Sequence, residues 1–136
     1  MRNSPGQGAR DLKELQKEIL ESRACPRLIR YCGLVAQQKR AMFSAERYWG
    51  KAVPCFGDPE AQLVIIELAP TAHGGNRTGR IFTGDRAGDF LFQAVYDLRF
   101  ANQPNSLHRN DGMKLTKLLH HWCCALGSSP KQTNAD

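Results

Sequence analysis

The order of apolar and polar residues divides the chain into a helical front, one buried strand, a glycine-rich loop and a further helix. In DLKELQKEILES, Leu12, Leu15, Ile19 and Leu20 recur at helical spacing with charges on the opposite side, which predicts an amphipathic helix. Pro26 breaks that pattern, and its ring suits the first turn of a second helix. From Arg27 to about Tyr48, residues Leu28, Tyr31, Cys32, Val35 and Met42 keep a helical beat that Gly33 interrupts. YWGKAVPCFGDPEA is a loop punctuated by Gly and Pro, with Trp49 and Phe56 as its anchors. QLVIIEL, residues 62–68, is a continuous apolar run between turn residues, and it predicts a strand buried on both faces, as in a parallel sheet. A loop over residues 69–89 follows, after which Phe90, Leu91, Ala94, Val95 and Leu98 predict the core face of a helix. Residues 102–112 read as another loop. This order is the opening of an α/β layer fold. Residues 1–10, polar with Gly and Pro, are expected to be disordered.

Composition narrows the class. The chain has 136 residues, one domain at most. With 41% hydrophobic and 24% charged residues it has ordinary globular usage. No apolar run approaches the ~20 residues of a membrane helix. MRNSPGQGARDLKEL lacks the apolar centre of a secretory signal, so the expected compartment is the cytoplasm. The net charge of +6 is uneven: residues 1–50 carry ten Lys/Arg against five Asp/Glu, and residues 51–136 nine against eight. A basic bias fits a polyanion such as nucleic acid, and equally a solvated helix face. The five cysteines are odd in number and form no C-x-x-C pair, which predicts neither a disulfide framework nor a metal site by itself.

The loop after QLVIIEL carries the candidate chemistry. In open α/β sheets ligands bind at the carboxyl ends of strands. Here His73, Asn76, Arg77, Thr78, Arg80 and Thr83 offer hydrogen bonds, glycines allow close backbone approach, and Asp85 closes the loop. Arginines suit phosphate, the Phe82 ring suits a base, and a carboxylate suits water activation. Each residue also has a plainer use. Asp85 can cap the following helix, Phe82 can be core, His73 can be a loop hydrogen-bond partner, and Arg77 and Arg80 can be solvated. The loop is neither a Walker A nor a G-x-G-x-x-G motif.

ELAPTAHGGNRTGRIFTGD, residues 67–85, resembles the first motif of the type 5 uracil-DNA glycosylases. CPRL at 25–28, KRAMF at 39–43, YWGKAVP at 48–54, FGDP at 56–59 and FANQPNSLHRNDGMKLT at 100–116 resemble that family in the same order. The resemblance covers about residues 22–116. It implies the N-terminal part of a three-layer αβα sandwich with a parallel central sheet. It also implies a monomeric hydrolase of base-excision repair, which flips uracil or another deaminated base out of DNA and hydrolyses its N-glycosidic bond. On this pattern Asp85 positions or activates the water, as carboxylates do in glycoside hydrolysis. Phe82 stacks on the base, while Ala69, Pro70, His73, Gly74 and Asn76 line the pocket. Arg77 and Arg80 become candidates for DNA phosphates. A reading from another class is a non-catalytic basic nucleic-acid-binding module.

Three departures qualify the resemblance. The family often opens with C-x-x-C-P-R-L, whose cysteines bind a 4Fe–4S cluster; here Ser22 stands first and Cys25 remains alone, which argues against a cluster. Glu67 replaces a usual Gly, and Cys55 replaces another. A carboxylate at the end of a buried strand is costly unless partnered. Finally, residues 117–136, KLLHHWCCALGSSPKQTNAD, depart from the family altogether, and their His and Cys match no standard zinc spacing. Read one nucleotide later, their codons are compatible with Y-I-T-G-A-A-R-L-A-P-P-P-N-K-P-T-P, which matches the family's continuation. One extra A in the Lys117 codon would produce this tail, and position 120 would then be Ile or Thr. Residues 117–136 are therefore expected to be out of frame. The 136-residue chain is expected to be an unstable, inactive fragment, a pseudogene product at the extreme.

Overall fold

The computed structural model describes residues 7–68 and 70–122. Helix α1 spans Gln7–Glu21 and α2 spans Pro26–Gln38. Three short strands follow, β1 at Phe56–Gly57, β2 at Leu63–Glu67 and β3 at Leu118–Trp122. Between β2 and β3 lie a single turn of helix, α3 at Gly75–Thr78, and the longer α4 at Arg86–Asp97. The fold is α/β.

The boundaries differ from the sequence pattern in two places. Residues 7–10, expected to be disordered, form the first turn of α1. The second helix stops at Gln38 rather than near Tyr48, because Lys39 takes a positive φ of 49° that no helix accommodates. A short 3-10 turn at Ala41–Phe43 follows it. Pro26 opens α2 as expected, since its missing N–H is an orphan at that position anyway.

The sheet order is β1-β3-β2. Strand β2 pairs with β3 in parallel, Ile65 opposite His120 and Glu67 opposite Trp122. Strand β1 pairs with β3 antiparallel, Phe56 opposite His120. The expectation of a parallel sheet thus holds for β2 and β3, and β1 makes the sheet mixed. The stretch read as out of frame contributes its first described residues as the central strand; residues 123–136 lie outside the described ones.

Core packing is one-sided. Phe92 and Val95 of α4 bury against Met113, Leu115 and Leu118, with Phe56, Ile65, Phe82 and Leu91 packed around them. The buried face of α4 is therefore turned from the expected one, and Phe90 and Leu98 are exposed. A second cluster, Val53 and Ile81 with Leu28, Trp49, Ala52 and Phe82, ties α2 to the loop. Phe82 bridges the two. Strand side chains alternate between faces, and the face of β2 away from α4 is bare, with Val64 49% and Ile66 66% exposed. The expectation of a strand buried on both faces is not met, because nothing among the described residues covers that side.

Candidate active site

The loop after β2 is held by its own polar groups. Arg80 is only 4% exposed. Its guanidinium donates to Thr83 Oγ1 at 3.0 Å, to the Arg109 and His108 carbonyls at 3.2 and 2.8 Å, and to both oxygens of Asp111 at 2.7 Å. Although burial alone would push the Asp111 carboxyl up, the Arg80 hydrogen bond, the Met113 and Leu107 N–H groups and the Arg80 charge hold it below the usual range. Arg77 donates to the His73 carbonyl at 2.6 Å and the Gly84 carbonyl at 3.0 Å, pairs with Glu46, and stacks 3.9 Å over the Phe43 ring. Both arginines, expected at DNA phosphates, are turned inward and occupied. A fixed fork of donors fits such a network better than a surface phosphate contact would use it.

Asp85 stands at the carboxyl end of the loop and caps α4. Its Oδ1 accepts the Gly88 N–H at 2.8 Å, and its Oδ2 accepts the Thr71 hydroxyl at 2.8 Å. Gly88 is required there, since a Cβ would overlap the Phe82 carbonyl. Gly74 is required as well: a Cβ would overlap Asp85 Oδ2 and Thr71 Oγ1. Capping and a role in the site are thus compatible, because a carboxylate oxygen accepts more than one hydrogen bond.

Glu67 ends β2 on the same strand face as Ile65, which packs against the Phe92 core cluster. Its Oε2 is shielded from water and has no hydrogen-bond partner among the described residues. Burial first, and the Asp85 charge second, push its carboxyl up to about 7. Asp85, which caps α4 and accepts two hydrogen bonds, and Glu67, desolvated at the end of β2, therefore sit in opposite environments.

The other expected pocket residues are placed as follows. His73 Nδ1 meets the Tyr48 hydroxyl at 2.9 Å, a loop partnership that fixes the ring. Asn76 is buried; its Nδ2 donates to the Cys32 carbonyl at 3.2 Å, while Oδ1 has no partner among the described residues. Gly74 and Gly75 run under Thr71 and Pro70, close enough that a Cβ on Gly75 would strike the proline ring. Phe82 adopts a positive φ of 50°, uncommon for a bulky residue, and lies 5.3 Å from the His120 ring. Ala69 lies outside the described residues. Cys25 precedes α2 without capping it through its side chain, and the Ser22 hydroxyl accepts the Ala24 N–H at 3.3 Å. Among the described residues no group of three His, Cys, Asp or Glu side chains is placed to hold a metal ion.

Thr71 escapes the sequence pattern entirely, as does the bond of Arg80 to Asp111, 31 residues away. The Asx-type capping of a helix by Asp85 was readable; the hydroxyl that holds its second oxygen was not.

Fold and site together define an α/β protein with a carboxylate-bearing loop at the carboxyl end of a sheet strand. No family model matches the chain. The type-5 uracil-DNA glycosylase of Mycobacterium leprae is 41% identical over 128 residues, which is 92% of this chain and 56% of that protein. That of Mycobacterium bovis is 44% identical over 126 residues, 90% of this chain and 47% of the relative. That of Pyrobaculum aerophilum is 45% identical over 91 residues, 67% of this chain and 39% of the relative. The chain is homologous to the type-5 uracil-DNA glycosylases, and it spans about half the length of the curated relatives it matches.

Proposed function

We propose that the loop over residues 70–85 is the base pocket of a DNA glycosylase of base-excision repair. Its substrate is DNA carrying uracil or another deaminated base, and its reaction is hydrolysis of the N-glycosidic bond by a monomer in the cytoplasm. The observation that carries this reading is the placement of Asp85. It is anchored by a backbone N–H and a hydroxyl at the end of β2, within a segment similar to relatives named type-5 uracil-DNA glycosylases. A carboxylate so held orients a water and stabilises a developing oxocarbenium ion. Phe82, strained and part of the loop, supplies an aromatic face for the base, with Pro70, His73, Gly74 and Asn76 around it. Ala69 belongs to the same pocket on the resemblance alone.

The 136 residues by themselves release no uracil on this reading. Val64, Ile66 and Leu68 are 49%, 66% and 66% exposed, so among the described residues nothing packs on the second face of the strand that carries the loop. The test is a uracil-release assay on uracil-containing DNA. One arm uses this chain alone. The other uses it joined in frame to the unmatched remainder of the Mycobacterium bovis relative. Release by the fusion and not by the chain alone is expected. Release by neither, with both proteins folded by circular dichroism, would refute the glycosylase reading. DNA retention without alkali-labile sites would favour a binding module instead.

A further inference from the structure

Arg77 and Arg80 are turned inward and occupied, so contact with a nucleic-acid backbone falls to other cations. Lys51 and Arg109, far apart in the chain, meet over one aromatic ring. Lys51 Nζ lies 4.2 Å from the centre of the Trp49 ring, and the Arg109 guanidinium lies 4.2 Å from it as well. Both residues are exposed, and neither forms an ion pair with a described residue. Stacking on a ring uses the face of a guanidinium and leaves the N–H groups at its edge free to donate. Two like charges over one ring repel each other, and an anion shared by both removes that cost.

The ring that gathers them is held from several sides. Trp49 Nε1 donates to the Ala52 carbonyl at 2.7 Å. The Trp49 amide donates to the Arg77 carbonyl at 2.9 Å and the Gly50 amide to the Asn76 carbonyl at 3.0 Å, which ties this segment to α3. Gly79, at a positive φ of 76°, lies so close that a Cβ would strike the indole. The Arg109 carbonyl accepts from buried Arg80 at 3.2 Å, so the backbone under the second cation is anchored in the same network. Trp49 and Arg109 also line a cavity of about 310 Å³ against Gln16 and Leu20 of α1.

We propose that Lys51 and Arg109, gathered over Trp49, clamp the phosphate backbone of a nucleic-acid strand beside the loop, resting on the glycosylase reading only for the naming of that strand as DNA. The buried arginines hold the loop in shape, and the exposed pair next to it makes the contact. Lys51 supplies a point charge and Arg109 a planar fork, and a phosphate accepts from both. Backbone contacts fix position and carry no sequence, so the clamp sets where the strand lies and leaves the choice of base to the pocket.

The probe is a uracil-free single-stranded DNA oligonucleotide. Its binding to the full 136-residue chain is followed by fluorescence anisotropy from about 50 to 200 mM salt. Each phosphate contact to a single strand adds about 0.7 to the slope of log affinity against log salt. Lys51→Ala/Arg109→Ala is expected to bind about tenfold more weakly at the lowest salt, with a slope shallower by about 1.4. Only the backbone carbonyl of Arg109 serves Arg80, so this variant keeps the loop network, and circular dichroism checks its fold. Lys51→Arg/Arg109→Lys, which exchanges the two cations, is expected to restore most of the slope. Lys13→Ala/Arg30→Ala removes the same charge from exposed positions of α1 and α2 and is expected to keep the wild-type slope. An equal loss in the two alanine pairs, or a wild type that does not bind, overturns the clamp. The probe holds no uracil, so this result is independent of the glycosylase reading. Uracil release by the fusion tests that reading, and there Lys51→Ala/Arg109→Ala should raise KM more than it lowers kcat. Binding that depends on the clamp, beside a fusion that releases no uracil, would keep the clamp and refute the glycosylase.

Discussion

Arg80 and His120 are both polar, both buried, at 4% and 0% exposure, and in opposite condition. Arg80 sits among Thr83, Ser106, Asp111 and two carbonyls, with every face of its fork used. His120 sits in the middle of the sheet between Phe82 and Phe92, with neither ring nitrogen partnered among the described residues. The loop that bears the candidate chemistry is therefore a satisfied network. The sheet beneath it has an orphaned imidazole on one face and bare Val64 and Ile66 on the other. Satisfied buried polar groups fix one arrangement, and unsatisfied ones destabilise it. The site is the better-specified part of this molecule, and the sheet that supports it is the weaker.

The largest expected effect breaks the loop. Arg80→Ala leaves Asp111 buried without its partner and should cost about 3–5 kcal/mol in urea unfolding. Arg80→Lys should also be strongly destabilising, because a point charge cannot serve five acceptors. A loss under about 1 kcal/mol for the alanine variant would mean that the loop does not depend on this network.

On the sheet side, His120→Ile should stabilise by about 1–3 kcal/mol, the penalty of an unpaired buried polar group. Isoleucine is also what the shifted reading frame permits at that position. A destabilised variant would show that the imidazole has an unrecognised partner.

The pH dependence of stability sharpens the contrast, because the two odd groups oppose each other. His120 has a depressed value in the fold, so stability is lost as pH falls from about 6.5 toward about 4. Glu67 has a raised value, so stability is lost as pH rises from about 4.5 toward about 7. Thermal scans should show a shallow profile in the wild type. His120→Ile should leave only the loss on raising pH, and Glu67→Gln only the loss on lowering it. The smallest effect belongs to the bare face: Ile66→Thr should change stability by no more than about 0.5 kcal/mol. A cost of about 2 kcal/mol there would mean that the face is covered in solution.

Much of this was legible in the chain. The apolar run at 62–68 announced β2, Pro26 announced the start of α2, and Asp85 before an apolar periodicity announced a capped helix. What escaped was whatever depends on distant partners. A continuous apolar run does not say whether anything covers its second face, so the exposure of Val64 and Ile66 was invisible. Arg77 and Arg80 carry no local sign of Glu46 or Asp111, and arginines in a polar loop read as surface groups. The face of α4 was misjudged because Phe90 and Phe92 both fit an apolar stripe, and only the sheet selects Phe92. Glu67 stood out as a misplaced carboxyl, but the fold was needed to show that its Oε2 is shielded and without a partner among the described residues.

The decisive measurement is uracil release from uracil-containing DNA by the in-frame fusion with the Mycobacterium bovis remainder, with and without Asp85→Asn. Release by the fusion is expected, with a loss of about 10²–10⁴-fold in the variant and unfolding midpoints unchanged. Release that survives Asp85→Asn at the parent rate would contradict the role of Asp85.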